Sequence, residues 1–322
     1  MKLLWLDLNS SYAHSSLALP ALHAQIADDT TIEWCIVSAT INENTGMVVS
    51  RIHKHRPDII AATNWLFNHE QLLHIISRAK ALLPHCCIVL GGPEFLGNNE
   101  AFLYKNKFVS GVFRGEGEEV FPQWLKVWNH SKETWKSITG LCYLDENGRY
   151  QDNGIARVMN FSQLVSPEKS CFFNWSKPFV QLETTRGCFN TCAFCVSGGE
   201  KPVRTIPLEA IRERLNDIHQ HGIKNVRVLD RTFNYNNKRA KELLDLFRQY
   251  PDICFHLEIH PALLSEELKQ ELSVLPKGLL HLEAGIQSLK ESVLQQSRRI
   301  GKLSDALEGL KYLCSLKNME TH

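Results

Sequence analysis

Thr184-Thr185-Arg186-Gly187-Cys188-Phe189-Asn190-Thr191-Cys192-Ala193-Phe194-Cys195 is the most informative stretch of this chain. It follows the short apolar run Val180-Gln181-Leu182 and sets three cysteines at C-x3-C-x2-C in a glycine-containing loop. Three thiolates on one short loop can converge on a single metal centre without help from the rest of the fold. A four-iron, four-sulfur cluster held by three cysteines leaves one iron open to an outside ligand. A structural zinc instead takes four protein ligands in a closed tetrahedron. The spacing favours the iron–sulfur cluster. Zinc with a distant fourth ligand (Cys254, His256 or His260) and three unconnected thiols are the alternatives.

Outward from this loop, the second half of the chain reads as a βα series. Strands are expected at 180–184, 225–229, 253–259 and 279–286. Between the first two lies a well-signalled helix, with Pro207 at a first-turn position and Leu208, Ile211, Leu215 and Ile218 on one face. A further helix carries Leu303, Leu307, Leu310, Leu313 and Leu316, and the chain reaches His322 where a fifth strand is expected. The first 130 residues alternate in the same way. Strands are expected at 3–8, 32–37, 57–62, 86–90 and 108–113. Helices follow Ser15 (a candidate N-cap) and run through 51–55, near 69–83 and around 120–128. Several of these strands are continuously apolar, which predicts an open, doubly wound parallel sheet of Rossmann or flavodoxin-like type, covered on both faces. Residues 131–178 read as a linker with a small hairpin, its strands at 141–144 and 155–158 around the turn Asp145-Glu146-Asn147-Gly148. The expected domains are therefore 1–130, this linker, and 179–322.

Composition narrows the function. The 322 residues are 43% apolar, 9% aromatic and 22% charged, the profile of a globular chain of about two domains. Lysine plus arginine exceed aspartate plus glutamate by one, 36 against 35, so charge makes no case for a nucleic-acid partner. No apolar stretch approaches the ~18–20 residues that span a membrane. The opening run Leu3-Leu4-Trp5-Leu6-Asp7-Leu8 is short and acid-interrupted for a secretory signal and reads as a first strand. Ten cysteines, seven of them scattered, are expected as reduced thiols in a cytoplasmic compartment.

The cysteine loop, with Phe194 just before its last cysteine, resembles the signature loop of radical S-adenosylmethionine (radical SAM) enzymes. The N-terminal half resembles the cobalamin-binding domain that precedes the radical domain in one large subgroup. Gly91-Gly92-Pro93-Glu94 and Arg114-Gly115-Glu116-Gly117-Glu118 match that subgroup's strand-end loops. The resemblance covers nearly the whole chain and implies a C-terminal partial (β/α) TIM-like barrel with its site at the strand ends. It implies Cys188, Cys192 and Cys195 as ligands of a 4Fe-4S cluster whose open iron is chelated by S-adenosylmethionine. Reduction of that cluster cleaves the S–C bond, for radical chemistry or for methyl transfer through cobalamin. An electron donor such as flavodoxin or ferredoxin and a small-molecule substrate are implied partners.

By place in the family pattern, Asp230, Thr232 and Phe233 (with Asn234) end the second strand, where the cofactor's methionine end is lined. Glu258 lies on the third strand, and Gln287 and Ser288 end the fourth. Arg298 or Arg299 would pair with the cofactor carboxylate. Phe194 would contact S-adenosylmethionine, while Gly91, Gly92, Gly115 and Glu116 would line the cobalamin. The family barrel has six βα units and about four are visible here, so the barrel reads as truncated, with an exposed fourth-strand edge and weak substrate binding relative to a longer chain.

Two motif matches are discounted on position. Gly198-Gly199-Glu200 spells the Gly-Gly-Glu motif that binds the cofactor's amino group in many radical enzymes, but it sits three residues past the last cysteine and reads as a flexible loop. Asp217-Ile218-His219-Gln220-His221-Gly222 matches D-x-H-x-x-G, a cobalt-ligating pattern, but falls at a helix end where Gly222 is a natural cap. The loop Asn9-Ser10-Ser11-Tyr12-Ala13-His14 lacks that pattern, so no histidine is expected below the cobalt. A transfer-RNA methylthiotransferase would carry a second three-cysteine set in its first half, where only Cys35, Cys86, Cys87 and Cys142 stand. A non-catalytic cofactor-binding or zinc-binding module is the reading from another class.

Overall fold

The computed structural model describes residues 1–14, 16–198 and 200–322, and divides into two compact units, Met1–Asn174 and Trp175–His322. Ser15 and Gly199, the expected N-cap and the middle of the Gly-Gly-Glu match, lie outside the described residues.

The first unit is a seven-stranded sheet. Its strands are β1 (Lys2–Asn9), β2 (Glu33–Thr40), β3 (Ile59–Thr63), β4 (Cys87–Gly91), β5 (Gly111–Phe113), β6 (Leu141–Leu144) and β7 (Tyr150–Asp152), in the order 2-1-3-4-5-6-7. The pairings from β2 through β5 are parallel, while β6 and β7 add antiparallel at one edge. Helices α1 (Ala18–Ala24), α2 (Thr45–His55), α3 (His69–Leu82), α4 (Glu100–Lys105) and α5 (Val120–Leu125) connect the strands. The run at the start of the chain shows why both faces are covered. Leu4, Leu6 and Leu8 enter one core with Val48, Ile52, Leu72 and Ile76, while Leu3 and Trp5 enter a second with Phe121, Trp124 and Trp135. Successive strand residues point to opposite faces, so a continuously apolar strand must be buried twice.

Residues 131–174, read from sequence as a linker, belong to the first unit, because β6 extends its sheet. The hairpin also closes earlier than expected. Asp145 Oδ1 accepts from the backbone of Asn147 (2.9 Å) and Arg149 (2.8 Å), a tight Asx turn that sends the chain straight back along β7. Residues 155–158, the expected return strand, instead run beside the end of β5, where Ala156 N donates to Arg114 O and Glu116 N to Ala156 O.

The second unit has a parallel sheet of five strands: β8 (Val180–Leu182), β11 (Asn225–Val228), β12 (Cys254–Ile259), β13 (Leu280–Ala284) and β14 (Glu320–Thr321), neighbours in that order. A separate two-stranded ladder joins β9 (Thr185–Arg186) to β10 (Arg204–Thr205). Helices α6 (Leu208–Gln220), α7 (Asn237–Phe247), α8 (Glu266–Ser273), α9 (Glu291–Gln296) and α10 (Leu303–Ser315) alternate with the strands. The sequential parallel order is that of a partial (β/α) barrel, and the sheet does not close. One expectation is corrected: β13 is not an edge, because β14 pairs with it, His281 opposite Glu320 and Leu282 opposite Thr321.

Candidate functional site

In the second unit, the cysteine loop is an excursion with a closed neck. The β9/β10 ladder brings Arg186 opposite Arg204, and Ile206 N donates to Thr184 O, so residues 187–203 form a loop returning to its origin. Gly187 sits at φ +93°, where a Cβ would meet Glu200 O at 2.5 Å, so the neck can close this tightly only on glycine. Inside, Cys188 N donates to Glu200 O, Cys195 N to Cys192 O and Gly198 N to Cys195 O. Glu200 thus fastens the loop through its backbone, which gives the end of the Gly-Gly-Glu match a structural task. A second set of bonds anchors the far side: Ala193 N donates to Ser297 O, and buried Asn190 accepts from Ile300 N at 3.1 Å.

Cys188 and Cys192 are buried and Cys195 is exposed. Burial pushes the Cys188 thiol up, the backbone N–H of Asn190 draws it down, and the neighbouring Cys195 and Cys192 push it further up against the opposing Arg231. None of the three thiols is tied in a disulfide. Among the described residues no three His, Cys, Asp or Glu side chains are grouped to hold a single metal ion. Three free thiols on an open loop fit a larger cluster, whose ligand sulfurs stand further apart than those around a lone ion.

Asp230, at the end of β11, is 1% exposed and accepts from Thr184 N (2.8 Å), Thr185 N (2.9 Å) and the Thr184 hydroxyl. Burial raises its carboxyl despite these donors. Both oxygens are engaged, so Asp230 holds the root of the cysteine loop to the sheet. Asn234 does the same for the next strand, exchanging hydrogen bonds with the backbone N–H and carbonyl of His260. Phe233, expected to face the cofactor, is instead in the core, stacked on Phe247 at 6.2 Å. Thr232 is half-buried, its hydroxyl donating to Arg231 O. Gln287 is exposed at φ +73°, Ser288 Oγ accepts from Lys290 N ahead of α9, and Phe194 is exposed. Arg299 donates to Gly285 O after β13, and Arg298 is exposed at φ +57°.

His260 has an unusual environment. It is 3% exposed, and neither ring nitrogen has a hydrogen-bond partner. Burial, reinforced by the Arg299 guanidinium, lowers its pKa to about 4. The unfolded chain takes up this proton near pH 6.5 and the folded unit resists it down to pH 4. Stability is therefore full above pH 6.5 and declines as pH falls towards 4, by roughly 3 kcal/mol for this one group. Urea titrations at pH 7 and pH 4.5 should show that slope in the wild type and a flatter one in His260→Phe.

In the first unit the strand order reverses direction between β1 and β3, and crevices outside such switch points are where open α/β sheets bind ligands. Buried Asn68 bridges the two strands, its amide donating to Leu8 O and Thr63 O while its carbonyl accepts from Trp65 N. The residues between carry an exposed apolar ledge: Leu66 is 83% exposed, and Trp65 and Phe67 stack at 6.3 Å. Asn64 is fully buried and its Oδ1 has no partner. Gly91 ends β4, and Gly92, at φ +110°, brings that loop against Asn64, where a Cβ would meet the Asn64 carbonyl at 2.5 Å. Gly92→Ala should cost about 2–3 kcal/mol by urea denaturation, from backbone strain and displacement of this turn. Gly115 and Glu116 are engaged within the unit: Gly115 bridges Ala156, and Glu116 accepts from Val158 N at 2.7 Å beside Arg157. The D-x-H-x-x-G match is a helix end, with His221 stacked on Trp175 at 3.7 Å and Gly222 at φ +72°.

Sequence reasoning missed the inner face of the second sheet. In Cys254-Phe255-His256-Leu257-Glu258-Ile259 the apolar residues alternate with polar ones, a visible signal of one polar face, yet Glu258 was singled out only as a cofactor contact and Cys254 and His256 only as distant zinc ligands. That face also holds His281 and Glu283, with His256 beside His281 and Glu258 beside Glu283 in register. Burial and the Glu283 carboxylate raise Glu258, while Arg231 and Arg227 oppose them.

Comparison with known proteins matches both units to families: the B12 binding domain over residues 8–125 and the Radical SAM superfamily over 182–318. The chain is a radical SAM protein with a cobalamin-binding domain. It is 29% identical over 201 residues to an uncharacterized methyltransferase of Pyrococcus horikoshii, covering 60% of this chain and 43% of that protein. It is 24% identical over 275 residues to the hopanoid C-3 methylase of Methylococcus capsulatus, covering 81% and 51%. The fold matches the cobalamin-dependent S-adenosylmethionine radical enzyme OxsB with a TM-score of 0.79 at 17% identity, over 99% of this chain and 48% of that one. This radical SAM chain thus spans about half the length, or less, of the curated relatives it matches. No helix among its described residues is long and apolar enough to cross a membrane.

Proposed function

We propose that this radical SAM protein is a cobalamin-dependent methyltransferase acting on a small molecule. The observation that carries the reading is the set of three undisulfided thiols, Cys188, Cys192 and Cys195, on one loop whose neck the β9/β10 ladder closes in a partial barrel. Cys188, Cys192 and Cys195 would hold a 4Fe-4S cluster, and the strand-end segments at Thr232, Gln287 and Ser288 would meet S-adenosylmethionine, with Phe194 beside them. The ledge of Trp65, Leu66 and Phe67, with the orphaned Asn64 Oδ1 and the turn at Gly91 and Gly92, suits a broad, flat macrocycle bearing amide donors. When bound, these groups supply one-electron cleavage of S-adenosylmethionine and methyl carriage. The chain's own residues anchor the cluster loop, through Asp230, Asn190 and Glu200, and line the barrel with groups that bind substrate. A flavodoxin or ferredoxin in the cytoplasm would deliver the electron.

Anaerobic reconstitution with iron, sulfide and hydroxocobalamin tests this. The purified chain should retain both the brown cluster absorption and the corrinoid bands through gel filtration, and should form deoxyadenosine or S-adenosylhomocysteine from S-adenosylmethionine once reduced. Loss of both chromophores on the column would refute it.

A further inference from the structure

The inner face of the second sheet holds a guanidinium and a carboxylate that the fold leaves unpaired. Arg227 stands in β11 between Val226 and Val228, both buried, so strand alternation turns it to the inner face with Gln181 and His256 beside it in register. It is half-buried, and among the described residues its guanidinium makes no hydrogen bond and no ion pair, meeting the Phe179 ring at 5.9 Å from the centroid. Arg186, Arg239, Arg248 and Arg299 are half-buried too, yet each reaches a carboxylate or a carbonyl, on Glu183, Ile206, Glu271 and Gly285 respectively. Glu258 on β12 is the counterpart. Its cross-strand neighbour Glu283 takes a hydrogen bond from His256 at 3.2 Å, whereas Glu258 has no hydrogen bond and no ion pair among the described residues.

The two are diagonal neighbours. Arg227 is in register with His256, and Glu258 follows two residues later on the same face, which sets the Cα atoms about 8 Å apart. Burial and then the Arg227 guanidinium lower the His256 ring, and burial and the Glu283 carboxylate raise Glu258 against Arg231 and Arg227, so these charges act across one surface. Sheet stability gives no reason for them. Carboxylates side by side on neighbouring strands repel, and a half-buried guanidinium without an anion has given up water without replacing it. Arg231 is exposed just past the end of β11, next to Asp230, which holds the root of the cysteine loop. Arg227 lies four residues back along the chain, deeper in the barrel and away from the strand ends where the cofactor belongs.

We propose that Arg227 and Glu258 recognise the substrate by an α-amino-acid group, Arg227 binding its carboxylate and Glu258 its ammonium, so that the methyl acceptor is a zwitterion and not an apolar lipid. That the bound molecule is methylated rests on the methyltransferase reading; the subsite itself rests on the two unpaired groups. A guanidinium presents a planar fork that matches a carboxylate with two hydrogen bonds, and a carboxylate accepts from an ammonium. One ligand carrying both charges a short distance apart answers both residues at once. The pair also fixes its direction, since the reversed ligand would set its ammonium against Arg227 and its carboxylate against Glu258 and Glu283.

The probes are the twenty L-α-amino acids, each titrated calorimetrically into the anaerobically reconstituted full chain in the presence of excess S-adenosylhomocysteine. At least one should bind, and its decarboxylated amine and its deaminated acid should each bind at least about 10-fold more weakly. Arg227→Gln should bring that amino acid down to the level of the amine, and Glu258→Gln to the level of the acid, with iron and sulfide per chain as in the wild type. Failure of all twenty to bind overturns the proposal, as does an amine or acid that binds as well as its parent. A variant that weakens all three probes alike assigns that residue a structural role and also overturns it, as does displacement of the amino acid by S-adenosylhomocysteine, which would place the pair at the cofactor. Cells fed [methyl-13C]methionine, compared with a deletion strain, separate this proposal from the reading beneath it. The gene-dependent label should sit on a molecule with both an amine and a carboxylate. Label on a molecule lacking them overturns the amino-acid subsite and leaves the methyltransferase reading, whereas amino-acid binding without gene-dependent label overturns the methyltransferase reading and leaves the subsite.

Discussion

Replacement of any one of Cys188, Cys192 and Cys195 by alanine should empty the chain of iron, from about four atoms to none after anaerobic reconstitution, and abolish reductive cleavage of S-adenosylmethionine. Two thiolates cannot hold a cube that needs three, and the loop offers no substitute donor among its other residues (Phe189, Asn190, Thr191, Ala193 and Phe194). The contrast lies within one residue type. Cys171→Ser and Cys314→Ser, at exposed cysteines remote in sequence from the loop, should keep the iron of the wild type. Iron analysis and the brown absorption band make the comparison directly. Retention of iron in all three alanine variants would remove the cluster from this loop.

The second large effect is expected at Asp230. Asp230→Ala strands the backbone N–H groups of Thr184 and Thr185 and the Thr184 hydroxyl in a site the carboxylate fills at 1% exposure. Each orphaned buried donor costs about 1–3 kcal/mol, so with three of them the second unit should lose at least about 3 kcal/mol. The root of the cysteine loop moves with those two threonines, and cluster yield should fall along with stability. Asp230→Asn separates shape from charge. Its carbonyl can accept from both backbone N–H groups while its amide donates to the Thr184 hydroxyl, which turns to accept, so a smaller loss than in the alanine variant is expected. Urea denaturation measures the stability, and iron per folded chain measures the loop. A variant as stable as the wild type would show that these hydrogen bonds do not carry the loop.

Much of the fold was legible because its strands advertise themselves. Leu3-Leu4-Trp5-Leu6-Asp7-Leu8 and Ile88-Val89-Leu90 have to be covered on both sides, and Gly91-Gly92-Pro93 marks where the second of them stops. Short elements carried no such signal. Helix α4 buries only Leu103, and a single buried side chain gives no period. Strand β14 is two residues long. The region after residue 130 read as a linker because an edge hairpin needs few apolar residues, with β7 exposing all or part of its three.

At the site, the cysteines were legible because their spacing is local. Asp230 and Phe233 were noticed by position but given the wrong surroundings: the partners of Asp230 lie 45 and 46 residues away, and Phe233 meets Phe247 across a helix. Glu116 and Gly115 were assigned to a ligand from their loop alone, without the partners the fold gives them, among them the backbone of residues 156–158 and the Arg157 side chain. The pairing of His256 with His281 and of Glu258 with Glu283 depends on register between β12 and β13, which no single strand reveals.

Iron and acid-labile sulfide, measured per chain on anaerobically reconstituted protein, bear most directly on whether the thiols at 188, 192 and 195 hold a cluster with one open corner. About four of each are expected, with an electron paramagnetic resonance signal of the reduced protein that changes when S-adenosylmethionine is added. One zinc per chain without sulfide, or a reduced signal indifferent to S-adenosylmethionine, would contradict it.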